Sequence, residues 1–342
     1  MSEYPKVSVI ISAYNSEKFL KGRIDNLIQQ TIFQSCEIII VISGSTQHEE
    51  SIIKEYQKYY SNIVYQRTEK RETIYQAWNR CIALSRGKYI VNANTDDRSR
   101  YDALEIFSKT LDAHPDVAMV YADQYISSIP NGTFNTVSVQ QKSIRPEYTR
   151  LRLLSGYHLG SQQMWRASLH FDDGMWFDES FEICGDYDFA CRVAEKYTIL
   201  LVKDVLGIYY LSKEKENKQF QDIDRFFNED ALVQEKYVQR YLDNLPQMER
   251  DRLYNTAKYW LWLPKIVYAL LHRWFYLVNP RNQIIPKYFW IWMNSLIEED
   301  RGDMDKSMMV CKRYLHAPDA RLIQRRYDKL INSNKRNDKS IL

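Results

Sequence analysis

Between Val7 and Tyr121 the chain keeps changing period, from β-branched runs to helix-spaced apolar residues and back, and few folds accept that alternation. Val7 to Ile11 reads as a buried strand bounded by Pro5 and Asn15. Lys18 to Gln30 then carries Phe19, Leu20, Ile24, Leu27 and Ile28 at helical spacing. The same exchange predicts strands over Glu37–Ile42, Ile63–Gln66, the run from Gly87 toward Asn94, and Val117–Tyr121. Helices are predicted over Glu49–Tyr59, Ile74–Ser85 and Tyr101–Ala113. Strands separated by helices of this length need right-handed crossovers, so the expected core is α/β, a mostly parallel sheet with helices on both faces.

Past Tyr121 the alternation fails. Pro130-Asn131-Gly132, among residues rich in Ser, Thr and Val, predicts a hairpin or an irregular insertion between Gln124 and Gln141. A short helix over Tyr148–Leu154, a loop entering a strand over Gly156–Trp165, a helix over Asp186–Lys196 and short strands over Thr198–Val202 and Leu206–Tyr210 follow. The charge run Lys213-Glu214-Lys215-Glu216-Asn217-Lys218 then gives way to helical patterning throughout. The expected organisation is one α/β domain over residues 1–215 and an all-helical extension over 216–342.

Composition narrows the partners. A formal charge of +3, from 47 basic and 44 acidic residues, is too small to indicate nucleic acid. The five cysteines show neither a CxxC nor a Cys/His ligand spacing, which leaves no disulfide framework and no zinc site. Met1-Ser2-Glu3-Tyr4-Pro5 enters a strand without a basic and apolar leader, so the expected location is cytoplasmic. The last third is rich in aromatics: Tyr259 to Leu263, Trp274 to Leu277 and Tyr288 to Trp292, interleaved with Lys265, Arg273, Arg281 and Lys287. Pro264, Lys265, His272 and Arg273 interrupt the one run that approaches the ~18 apolar residues of a membrane span. Two uses stay open for these helices: contact with the inner face of a membrane, or packing onto the α/β domain or a second copy of the chain.

The chemistry-bearing stretch is Asn94-Thr95-Asp96-Asp97, where an apolar strand stops on two adjacent carboxylates. Ligands of open α/β sheets bind outside the carboxyl ends of the strands, and paired acids there suit a divalent cation carrying phosphates. The competing account has the pair cap the helix near Tyr101. Further on, Asp186 and Asp188 open a helix; Asp188 lies four residues before Arg192, a spacing that predicts an ion pair.

These segments resemble, in order, the family-2 glycosyltransferases of the GT-A fold, over residues 5–212. The resemblance rests on Val7 to Asn15, Glu37 to Thr46, Ala77-Trp78-Asn79 with Gly87-Lys88-Tyr89-Ile90, Asn94 to Asp97, and Gly185-Asp186-Tyr187-Asp188 with Arg192. It implies a GT-A (Rossmann-like) sheet and a nucleotide-sugar donor, a UDP-sugar above all. The acceptor hydroxyl would belong to a sugar or a lipid-linked molecule, in polysaccharide or glycoconjugate synthesis. By resemblance, Ala13, Tyr14, Ser43, Asp96 and Gln162 contact the donor and Asp97 holds Mg²⁺ or Mn²⁺, with Asp96 beside it. Asp186 is then the catalytic base, and single displacement predicts inversion at the anomeric carbon. The chain departs from the family at Ile42 and Ser43, where acidic residues are common, at Asn94 and Gly185, and at Tyr209 to Lys213, where a histidine ligand is expected; that absence implies either weak metal affinity or direct assistance to the diphosphate by Lys213. Those departures keep a second reading open, a catalytically silent nucleotide-sugar-binding scaffold. A nucleotidyltransferase would need an early Gly-rich phosphate loop that the chain lacks.

Overall fold

The computed structural model describes residues 4–137, 141–212, 221–263, 267, 268, 270, 271, 273, 274, 281, 285–315 and 321–339. The chain divides into two compact units, Met1–Arg150 with Tyr157–Glu229, and Leu151–Gly156 with Asp230–Leu342. The charge run from Lys213 to Lys218 lies outside the described residues.

In the first unit, β1 (Val7–Ala13), β2 (Cys36–Ser43), β3 (Ile63–Thr68) and β4 (Tyr89–Asn92) lie parallel in the order β3-β2-β1-β4. Helices α1 (Glu17–Ile28), α2 (Glu49–Gln57) and α3 (Ile74–Leu84) make the crossovers. All of β2 is buried, as expected of a strand covered on both faces, and Val9, Ile11, Ile38 and Ile40 pack with Leu20, Ile24 and Ile53 in one core. Helix α3 starts at a reciprocal cap: the Thr73 hydroxyl accepts the Gln76 N–H, and the Gln76 side chain accepts the Thr73 N–H. Gly87 lets β4 enter hard against β1, since a Cβ there would lie 2.6 Å from the Ser8 nitrogen. Its N–H donates to the Ser8 hydroxyl.

The chain continues through β5 (Arg98–Ser99), α4 (Ala103–Ala113), β6 (Val117–Ser127), β7 (Lys142–Ser143), α5 (Arg150–Leu154), β8 (Gln163–Arg166), α6 (Ser168–Phe171), α7 (Gly185–Lys196) and β9 (Thr198–Tyr210). The sheet runs on as β4-β8-β6-β9-β5, with β7 paired to β6. Strand β8 is antiparallel to both β4 and β6, while β6 and β9 are parallel, so the sheet is mixed. The two short strands expected over Thr198–Val202 and Leu206–Tyr210 are one strand. The polar Lys203-Asp204 step that splits the apolar pattern is absorbed as a register irregularity, Ala122 facing Val202 and Asp123 facing Val205.

The second unit is helical. It takes in α8 (Ile223–Asp243) from Asp230 onward, α9 (Gln247–Trp262), α10 (Lys287–Asp300), α11 (Met304–Tyr314) and α12 (Arg321–Lys339). Ile291, Cys311, Ile323 and Leu330 form its core, and the Ser295 and Ser307 hydroxyls pair at 2.8 Å inside it. The aromatic runs part company here: Phe289, Trp290 and Trp292 are buried, whereas Tyr259 and Trp262 are exposed. Among the described residues no helix is long and apolar enough to cross a membrane.

Candidate functional site

Strand β1 is flanked by β2 on one side and β4 on the other, so successive crossovers leave it in opposite directions. That is the switch point of an α/β sheet, where a crevice opens at the carboxyl ends of β1 and β4. At the end of β1, Ala13 is fully buried opposite Ile42 and Tyr14 is the group that emerges, with the Arg71 guanidinium 4.1 Å from its ring centroid. Asn15 takes a left-handed conformation (φ 47°), and its side-chain oxygen accepts the Thr46 N–H at 3.2 Å, tying the first turn to the second. Buried Glu49 reinforces the tie by accepting the Ser16 N–H at 2.7 Å and the Ser45 hydroxyl. Ser43, also buried, accepts the Glu72 N–H with its hydroxyl and so holds the Lys70–Glu72 segment against the end of β2. Gly44 makes that approach possible: its φ is 55°, and a Cβ would lie 2.3 Å from the Arg71 nitrogen.

At the end of β4 the acidic pair is not a helix cap. Strand β5 intervenes, and the N-cap of α4 is Asp102. Asp96 is half-buried and Asp97 is 2% exposed. One Asp97 oxygen accepts the Tyr210 N–H at 2.9 Å and the other accepts the Asn94 amide at 3.1 Å. Asn94 thus supplies a donor where an Asp would add a third negative charge. Burial raises the proton affinity of both carboxyls, and for Asp97 the charge of Asp96 is the next cause. Behind them Arg98, also buried, donates to the carbonyls of Thr95 (2.8 Å) and Asp97 (2.6 Å), which fixes the loop. Arg23 lies close by, its guanidinium pushed down to about 9 by burial and by Arg98.

This arrangement fits a hard cation. The donors are all oxygen, each carboxylate oxygen of Asp97 has a lone pair beyond the bond it accepts, and a divalent charge would relieve the repulsion within the pair. Among the described residues no three His, Cys, Asp or Glu side chains converge, so the protein offers the pair, and water or phosphate oxygens would complete the shell, the usual pattern for Mg²⁺.

Asp186 stands in the first turn of α7 and is half-buried. The Tyr187 N–H (2.9 Å) and the Tyr75 hydroxyl (3.3 Å) both donate to its Oδ1. Burial nevertheless pushes its carboxyl up to about 6, against the lowering effect of Tyr187, Tyr75 and Tyr157. Gly185 is a glycine for a steric reason: a Cβ there would sit 2.7 Å from the Tyr75 ring, so a Glu at this position would displace the tyrosine that orients Asp186. Asp188, fully buried, pairs with Arg192 at 2.9 Å as the spacing predicts.

Tyr209 is half-buried near the end of β9. Its hydroxyl is pushed up by burial and then by the negative charges of Asp97, Asp96 and Asp186, with Arg145 opposing. Arg145 in turn feels Tyr157 and Tyr209. Gln162 is buried, its amide donating to the Ser161 hydroxyl and its chain filling the space above Gly207. Lys213 lies outside the described residues.

Residues 8–172 match the sequence model of the family described as Glycosyl transferase family 2. That segment belongs to the family. The chain is 27% identical to an uncharacterized glycosyltransferase of Methanocaldococcus jannaschii, over 63% of this chain and 77% of that protein. It is 25% identical to the chondroitin synthase of Pasteurella multocida over 75% of this chain, and spans only 26% of that longer enzyme. Among solved structures, S. aureus TarS 1–349 superposes with a TM-score of 0.57 over 97% of this chain and 92% of that one at 18% identity. The mannosyltransferase PcManGT of Pyrobaculum calidifontis does so at 0.53 and 17%, covering 98% and 88%. At such identities the likeness shows the GT-A fold alone. Asp186 and Tyr209 of the glycosyltransferase lie beyond the matched segment, whereas Asp96 and Asp97 lie within it. Tyr75, Arg145 and Tyr157 were not legible as site residues, because they come from separate elements and share no spacing. The one local hint was Tyr75, two residues ahead of Ala77-Trp78-Asn79.

Proposed function

We propose that this glycosyltransferase moves a sugar from a nucleotide-diphosphate donor, a UDP-sugar foremost, to a hydroxyl of a growing saccharide or lipid-linked acceptor, with inversion at the anomeric carbon. Residues 1–215 are the catalytic domain. Asp186 takes the acceptor proton, the acceptor oxygen bonds to the anomeric carbon from the face opposite the diphosphate, and the bond to the diphosphate breaks with its electron pair. Asp97, with Asp96, would hold Mg²⁺ or Mn²⁺, which when bound neutralises charge on the departing diphosphate. Tyr14 and the turns that Ser43 braces would receive the base, and Gln162 would support the sugar side through Ser161.

The observation that carries this reading is the acidic pair at the end of β4, where Asp97 accepts from the Tyr210 N–H and the Asn94 amide beside Asp96, together with Asp186 held at the start of α7 by the Tyr187 N–H and the Tyr75 hydroxyl. TarS has been solved with UDP-GlcNAc and PcManGT with GDP-Man and Mn²⁺, which supports the donor class and the cation. Incubating the full chain with a panel of UDP- and GDP-sugars plus Mn²⁺ should release the nucleoside diphosphate from one of them. A panel with neither release nor binding would sink the proposal.

For the helical extension we propose contact with an anionic membrane surface. Trp262 is 79% exposed and Trp274 55% exposed, and from Arg252 to Ile297 the sequence has Arg252, Lys258, Lys265, Arg273, Arg281 and Lys287 but no Asp or Glu. Aromatic side chains beside lysine and arginine suit the lipid interface. The full chain should sediment with phosphatidylglycerol vesicles and not with phosphatidylcholine, and Trp262→Ser should weaken the binding. A stable dimer that ignores both lipids would count against it.

A further inference from the structure

The loop that delivers Asp186 is held from a helix far along the chain. Glu229, buried on α8, accepts the backbone N–H of Glu182 (3.0 and 3.3 Å to its two oxygens), of Ile183 (2.8 Å) and of Cys184 (2.9 Å). Two neighbours on the same helix join it. Arg225 pairs with Glu182, and the Phe226 carbonyl accepts the Cys184 thiol at 3.6 Å. On its other side the loop is pinned by Tyr75, whose hydroxyl donates to the Ile183 carbonyl at 2.6 Å as well as to Asp186.

Three successive amides converging on one carboxylate form an anion-binding concavity whose anion is supplied by the protein. Hydrogen bonds to an ionised acceptor are about twice as strong as neutral ones, so this contact defines the backbone two residues ahead of Asp186 with little slack. Without the carboxylate, three N–H groups, that of Cys184 buried and those of Glu182 and Ile183 partly so, lose their partner at once, and the segment must shift to find others.

We propose that Glu229 is a positioning residue for Asp186: it sets the loop from which the carboxylate reaches the acceptor hydroxyl. This rests on the reading of Asp186 as the base. Glu229 touches neither donor nor acceptor in this account, so its removal should act on kcat alone.

The test is a double-mutant cycle on the full chain, with kcat and KM for the donor, UDP affinity by calorimetry and the melting temperature read for each variant. Glu229→Ala should lower kcat by about 10²-fold, the usual cost of a ~1 Å misplacement, with donor KM and UDP affinity unchanged. Glu229→Gln keeps the size and one accepting oxygen, so it should remain folded and lose less. In an Asp186→Asn background neither substitution should lower the residual rate further. Wild-type kcat in Glu229→Ala would overturn the proposal, as would an equal loss with and without Asp186, which marks a general structural role. Full turnover by Asp186→Asn alone would instead refute the base reading, and this proposal with it.

Discussion

Asp186→Asn should lower the rate of sugar transfer by about 10²- to 10⁴-fold, the range that a positioned general base supplies, and leave UDP affinity unchanged. Asparagine keeps the shape and the oxygen that accepts from Tyr187 and Tyr75, so the loop and the helix start are preserved. What is lost is a group able to take a proton. The wild-type pH profile carries its own sign: burial pushes the Asp186 carboxyl up to about 6, and a base works ionised, so kcat should rise with pH through that value and fall away below it. The variant's residual rate should lack this limb. A profile flat from pH 5 to 8 in the wild type, or an unchanged rate in the variant, would count against the assignment.

Asp97→Asn should abolish the Mn²⁺-dependent part of UDP binding. A bound cation is worth several kcal/mol to charge on a phosphate, which at about 1.4 kcal/mol per decade corresponds to a loss on the order of 10²-fold or more. Asparagine can still accept the Tyr210 N–H, so β9 stays in register. Stripping Mn²⁺ from the wild type with a chelator should reproduce the defect, and equal UDP affinities with and without the metal would refute the ligand role.

A stability readout separates this from simple damage. Both carboxyls have their proton affinity raised by burial and, for Asp97, by its neighbour. A carboxyl whose folded pKa lies above its unfolded value favours the fold fully only below the unfolded value, and that contribution is lost as pH climbs through the folded one. At neutral pH without metal the pair is therefore a burden, and Asp97→Asn should melt higher than the wild type. With Mn²⁺ and UDP present the order should reverse, because ligand binding stabilises only the protein that binds. A site kept at the expense of stability is common where charges are gathered for chemistry.

The parallel half of the sheet could be read from pattern because each strand there is buried on both faces, so its β-branched run is unbroken, as in β2. Strand β9 could not, since Lys203-Asp204 interrupts its apolar run and only pairing along β6 reveals one continuous element. For the same reason the insertion of β8 between β4 and β6 was out of reach: Gln163-Met164-Trp165-Arg166 has no signal of direction, and its antiparallel sense is set by the two neighbours it joins. The cap reading of Asp96 and Asp97 failed on a two-residue strand, too short to leave a period.

The site divides in the same way. The adjacency of Asp96 and Asp97, their place just after an apolar strand, and the i,i+4 pairing of Asp188 with Arg192 are local facts, and local facts are written in the order of residues. Gly185 looked like a lapse from a family pattern until the Tyr75 ring was found occupying the space its side chain would need. The Tyr210 N–H that reaches Asp97, the Tyr75 hydroxyl that reaches Asp186, and the carboxylate of Glu229 that holds the loop before α7 come from elements tens of residues away along the chain.

By itself, then, the order of residues determined the alternation, the family resemblance and the acids proposed to bear the chemistry, since period and adjacency act along the chain. The tertiary structure alone decided how deeply each acid is buried, which distant groups donate to it and what keeps it aimed. Burial and charge act through space, between groups that the chain brings near only by folding.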